Sequence, residues 1–85
     1  MKEYKASYNF FCDIANKKGS ETVEGFEGVL LDNYLITANG RMYFFRETPV
    51  NCWQSEYTVR EYGKKEVNQA FEDFYNCQDK YIING

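Results

Sequence analysis

The sequence contains no histidine and a single proline, Pro49, and its apolar runs are short. The missing histidine removes histidine triads and Cys–His pairs as catalytic devices, and with them the usual partner of thiolates in a zinc site. No run approaches the roughly 18 apolar residues that read as a membrane span. The opening Met1-Lys2-Glu3-Tyr4-Lys5-Ala6 lacks the apolar core of a secretory signal, so a cytoplasmic protein without a membrane partner is expected. No repeat, low-complexity run or Pro/Gly-rich linker interrupts the 85 residues, and a single domain over 1–85 is expected. Cysteine is also sparse: Cys12, Cys52 and Cys77 are odd in number, widely spaced and form no C-x-x-C. That pattern predicts reduced thiols, with no disulfide and no metal site.

Acidic residues exceed basic ones, 13 to 10, for a net charge of -3. An acidic chain is a poor general binder of phosphate backbones. Branched aliphatics are few, but eight Tyr, seven Phe and one Trp bring the aromatic share to 19%. A buried ring removes on the order of 150–250 Å² from water. The chain therefore has the means to fold, around a core of rings.

Tyr4, Ala6, Tyr8, Phe10, Cys12 and Ile14 share one parity against mostly polar neighbours. Period two predicts a half-buried strand over 4–15. A helix is the rival, because Tyr4, Tyr8, Phe11, Cys12 and Ala15 also share a helical face. Residues 16–20 read as a loop, and Glu21 to Leu31 as a strand in which Gly25 and Gly28 mark a bulge or curvature.

Two turns are predicted next. Asp32-Asn33 separates Val29-Leu30-Leu31 from Tyr34-Leu35-Ile36, and Asn39-Gly40 separates that segment from Arg41-Met42-Tyr43-Phe44-Phe45. Asn-Gly tolerates positive φ at both central positions of a type I′ turn. The result is a three-stranded meander from about Glu24 to Glu47, in which Ala38 faces Arg41, Thr37 faces Met42, Ile36 faces Tyr43 and Leu35 faces Phe44. Both of its faces are substantially apolar. Thr48 to Asn51 should end the strand in a turn, and Ser55 to Tyr62 should form an edge strand stopped by Gly63.

Lys64 to about Gln78 has helical periodicity: Val67, Ala70, Phe71, Phe74 and Cys77 form an apolar stripe, with Glu66, Gln69, Glu72, Asp73 and Asn76 opposite. Tyr81-Ile82-Ile83 reads as a short strand or a packed terminus. The predicted fold class is thus α+β: an antiparallel β-meander of four to five strands with a C-terminal amphipathic helix packed on one face.

Chemistry-bearing motifs are lacking. No phosphate-binding glycine loop or EF-hand spacing occurs. The carboxylate groups, Glu21/Glu24/Glu27 and Glu72/Asp73, read as solvated faces. Cys77 sits on the apolar stripe, which leaves Cys52, beside Trp53, as the thiol to test for reactivity. No enzyme activity and no cofactor are expected.

One helix can cover only one apolar face of the meander. The other is expected to be a contact surface through Tyr34, Arg41, Tyr43 and Phe45, with Glu66, Glu72 and Asp73, alongside Asp79, steering a basic partner. The expected function is a small acidic non-enzymatic protein-binding module, with a second copy of the chain as another candidate partner. In size and charge it resembles phage-type inhibitors of host nucleases (anti-defence, anti-CRISPR-like proteins), which implies a basic nucleic-acid-binding surface on the partner. The alternative is single-stranded nucleic-acid binding through Arg41 to Arg46, where rings alternate with cations.

Overall fold

Asn39 and Gly40 both adopt positive φ, 57° and 70°, as a type I′ turn requires. In the computed structural model this turn joins β3 (Asp32–Ala38) to β4 (Arg41–Asn51), and the pairing is the one the turn dictates: Ala38 with Arg41, Thr37 with Met42, Ile36 with Tyr43, Leu35 with Phe44. The structure describes residues 1–27 and 31–84, with side chains described over 1–27 and 31–77. Expectations for Gly28, Val29, Leu30 and the side chain of Asp79 lie outside the described residues.

The sheet is antiparallel, in the order β1-β5-β4-β3-β2, with β1 Lys2–Ala6, β2 Glu21–Glu27 and β5 Gln54–Tyr62. A 3-10 turn at Lys64–Glu66 leads into the C-terminal helix, Val67–Asn84, here α2. The mixed α+β architecture is as expected. Tyr81-Ile82-Ile83 belongs to the helix rather than to a strand.

The first segment corrects the expected strand. Its pairing stops at Ala6, and residues Tyr8–Ala15 form a helix, α1. Ser7 makes the break: its backbone is extended, and its Oγ accepts a hydrogen bond from the Phe10 amide at 3.1 Å. At the far end the Ser20 hydroxyl donates to the Ala15 carbonyl at 2.8 Å, satisfying a terminal acceptor.

This helix lies on the sheet face opposite α2 and fills it. Ile14 joins Ile36, Ala38, Tyr43, Phe45, Tyr57 and Val59 in one buried cluster, with Phe10, Phe11 and Tyr34 packed on its margin. On the other face α2 lays Ala70, Phe74 and Cys77 against Leu35, Met42, Phe44 and Tyr62, with Val67 and Phe71 at the margin. The Phe44 and Phe74 rings meet edge to face at 5.5 Å. Each fully buried ring contributes about 1.5–3 kcal/mol. The double apolar character of the hairpin is thus satisfied inside the chain, by a helix on each side.

Three further expectations are corrected. Asp32 and Asn33 form no turn; they pair on one side with Glu27 and Phe26 and on the other with Glu47 and Arg46. Thr48 to Asn51 does not end the strand, for Thr48 pairs with Glu56 and Pro49 with Ser55. Proline is tolerated because β3 pairing ends at Glu47, so nothing beyond it requires the missing N–H. Finally, β5 is an interior strand, since β1 closes on it. The true edges are blunted: β1 is short and carries Lys2, Glu3 and Lys5, and β2 is bulged between Thr22 and Glu24.

Candidate functional site

The residues expected to form one contact face do not share a surface. Tyr43 and Phe45 are 5% and 0% exposed beneath α1, so neither can meet a partner. Met42 and Phe44 are buried on the other side, and no ring from Arg41 to Arg46 is open to stack on a base. Tyr34 is half-buried against Phe11.

Asp73 is not a free helix charge. It accepts hydrogen bonds from the Tyr62 hydroxyl at 2.5 Å and the Gln69 amide at 2.7 Å, with the Arg60 guanidinium 3.7 Å away. Burial first, then the Asp73 bond, raises the Tyr62 phenol far above its ordinary range. Glu66 binds the Met1 ammonium at 2.9 Å and the Gly63 amide at 3.1 Å, and these contacts lower its pKa. Arg41 reaches Glu61 at 3.4 Å, and Glu61 also accepts from the Tyr4 hydroxyl. Arg41 and Glu66 do come together, lining a cleft of about 530 Å³ beside the Asn39-Gly40 turn. Its charges are mixed, and Met1, Arg41, Glu61 and Glu66 are already paired. Of Glu66, Glu72 and Asp73, only Glu72 is fully exposed.

The most open apolar group in the described part of the chain is at the opposite end of the sheet. The β4–β5 hairpin turns at Cys52-Trp53, between the paired Asn51 and Gln54. The Asn51 carboxamide oxygen accepts from the Trp53 amide at 2.8 Å and fixes the turn. The Trp53 side chain projects outward, 94% exposed, next to the exposed Val50 and Cys52. Tyr8, 62% exposed at the start of α1, stands across from it.

Between them lies a groove of about 430 Å³, lined by Tyr8, Glu47, Asn51, Cys52, Trp53 and Tyr57, among others. Tyr57 forms its buried floor, under Phe11, whose ring stacks at 5.0 Å. Burial, then the charge and hydrogen bonding of Glu47, hold the Tyr57 phenol well above the usual range.

Glu47 is one of a row. Glu27 pairs with Asp32, Asp32 with Glu47, and Glu47 with Tyr57, so three carboxylates follow one another across β2, β3 and β4 on the α1 face. Neighbouring strands are about 4.8 Å apart. Among the described residues no cation comes within ion-pairing distance of Glu27, Asp32 or Glu47. Their field reaches Tyr34 as well, whose phenol is raised first by burial and then by the charges of Asp32, Glu47 and Glu27. No group of three or more described Cys, Asp or Glu residues has the geometry to hold a metal ion.

Sequence reasoning missed Trp53, Tyr8 and Glu47 as a site. The only signal was the chain's single tryptophan, placed just after a Thr-Pro-Val-Asn stretch with turn-like composition. No protein-family model, curated protein or solved structure matches the chain.

Proposed function

We propose that this chain is a non-enzymatic protein-binding module that docks through the tip of its β4–β5 hairpin against a basic surface on a protein partner. The observation that carries this is Trp53, 94% exposed in a turn whose backbone the Asn51 side chain caps, with Val50 and Tyr8 also exposed nearby. Tryptophan is enriched among the residues that dominate binding energy at interfaces. The row Glu27, Asp32 and Glu47 alongside supplies the complement to positive charge. Free Cys12, Cys52 and Cys77 suit a reducing, cytoplasmic setting. A partner surface that itself binds nucleic acid has the required chemistry, and occluding it would make the module an inhibitor of the phage type.

Affinity capture from the native host tests this, with identification of the captured species and a parallel Trp53→Ala bait. The expected result is a protein captured at low salt, lost at high salt and lost with Trp53→Ala, while the circular dichroism spectrum of the bait is unchanged. Capture that is indifferent to Trp53, or a bound nucleic acid in place of a protein, would refute it.

A further inference from the structure

We propose that the groove between Tyr8 and Trp53 is a pocket for an arginine side chain presented by a basic segment of a protein partner. The inference rests on the protein-binding function above and specifies what the groove takes.

The groove has the parts that a guanidinium needs. Tyr8 and Trp53 offer exposed rings, and the buried Tyr57 closes the floor between them. A guanidinium is planar and weakly hydrated, and it stacks on aromatic faces. Glu47 lines the same groove and provides a carboxylate to accept its N–H donors. The volume, about 430 Å³, lies in the range of ligand pockets, about 300–1,000 Å³.

Charge decides the sign of the occupant. The registers put Asp32 directly opposite Glu47 and Glu27 directly opposite Asp32. Like charges in that arrangement repel and destabilise a sheet. No described cation relieves them. The nearest basic strand residues point elsewhere: Arg46 and Lys5 share the α2 face with Thr58, their common cross-strand neighbour. A guest cation would remove the repulsion, so binding and strain relief reinforce each other. Arginine is favoured over lysine because a compact ammonium forgoes the stacking and the forked hydrogen bonds.

Trp53 is the chain's single tryptophan, so its fluorescence reports directly on the groove. The test titrates the full chain with a tetra-arginine amide, using a tetra-lysine amide for comparison. The expected result is a saturable change in Trp53 emission that weakens with salt and needs several-fold less arginine peptide than lysine peptide. Glu47→Gln should weaken arginine binding about tenfold, equivalent to the loss of one charge-assisted contact. Glu21→Gln, at the opposite end of β2 from Glu27, should leave it unchanged. Thermal melts separate site from scaffold: Glu47→Gln should raise the melting midpoint while it lowers affinity, whereas a scaffold role would lower both. No saturable change, equal response to the two peptides, or indifference to Glu47→Gln would overturn the pocket. If the peptide fails while partner capture still depends on Trp53, the pocket alone is wrong. If arginine binds but capture ignores Trp53, the proposed function is wrong and the pocket stands.

Discussion

The ring of Phe11 lies over that of Tyr57 at 5.0 Å with 18° between their planes, and meets Phe45 edge-on at the same distance. Phe11 thereby joins Ile14 and Phe10 in covering the sheet face that the meander alone would leave open. The Ser7 cap is what brings Phe11 there, since a strand continuing past Ala6 would carry the ring off the edge of the sheet.

Substitutions beneath α1 should therefore unfold the chain. Phe45→Ala removes a ring with 0% exposure and should cost about 3–5 kcal/mol. Combined with Tyr43→Ala, it should abolish the cooperative transition in a domain whose whole stability is only about 5–15 kcal/mol. Circular dichroism and urea denaturation read this directly. A folded double variant would mean that α1 does not pack where it is described.

The Asn39-Gly40 turn makes an independent prediction. Gly40 has φ +70°, a region β-branched residues resist. A Cβ there would also meet the Lys64 Cε at 3.4 Å, though that flexible chain can yield. Gly40→Val should cost about 1 kcal/mol or more, by the usual size of such backbone strain. An unchanged urea midpoint would contradict the turn and its register.

Turn and register were legible because the signal is local: two residues with a defined backbone requirement set every pair between β3 and β4. The α2 stripe was legible for the same reason, with Val67, Ala70, Phe71, Phe74 and Cys77 on the side that packs. Residues 4–15 were not, because their apolar positions satisfy both periods. The choice was made by the Ser7 cap and by pairing of Tyr4 with Val59, a contact remote in sequence. Asp32-Asn33 misled similarly: a good turn dipeptide was overridden by partners on both sides. Asn33 ends 0% exposed, with no partner among the described residues for either side-chain amide atom. Nor does any local pattern distinguish a tryptophan displayed on a hairpin tip from one bound for the core.

Alkaline pH should unfold the chain through its tyrosines. Tyr57 and Tyr62 are held neutral, first by burial and then by Glu47 and Asp73; for Tyr4 the same order holds, with Glu61 as the partner. Their folded pKa values are raised above the unfolded value of about 10. The stabilisation is fully present below that value, because both states are then protonated. Above it only the unfolded chain ionises, and stability falls until the folded values are reached. Each such phenol contributes at most about 1.4 kcal/mol per pH unit over that window. Phenolate absorbance should show these tyrosines titrating only as the structure melts. Tyr62→Phe should lessen the slope above pH 10; a slope unaffected by it would count against the Asp73 bond as a source of the effect.

The acidic row predicts a gain rather than a loss. Asp32 stands between Glu27 and Glu47 in the ladder, so it faces a like charge on either side. Asp32→Asn removes both repulsions and keeps an oxygen in place, as does Glu47→Gln for its single repulsion. Directly opposed like charges cost a few tenths to about 1 kcal/mol, so both variants should raise the urea midpoint, Asp32→Asn the more. Raising ionic strength should narrow the difference from the parent chain, because exposed charges are screened over about 8 Å at 0.15 M salt. The neutral variants would then be the more stable proteins and the poorer binders. That opposition is expected where a fold keeps a destabilising arrangement for contact with something else. A midpoint lowered by Asp32→Asn would show that the carboxylate is a structural acceptor, and the row would lose its standing as unrelieved charge.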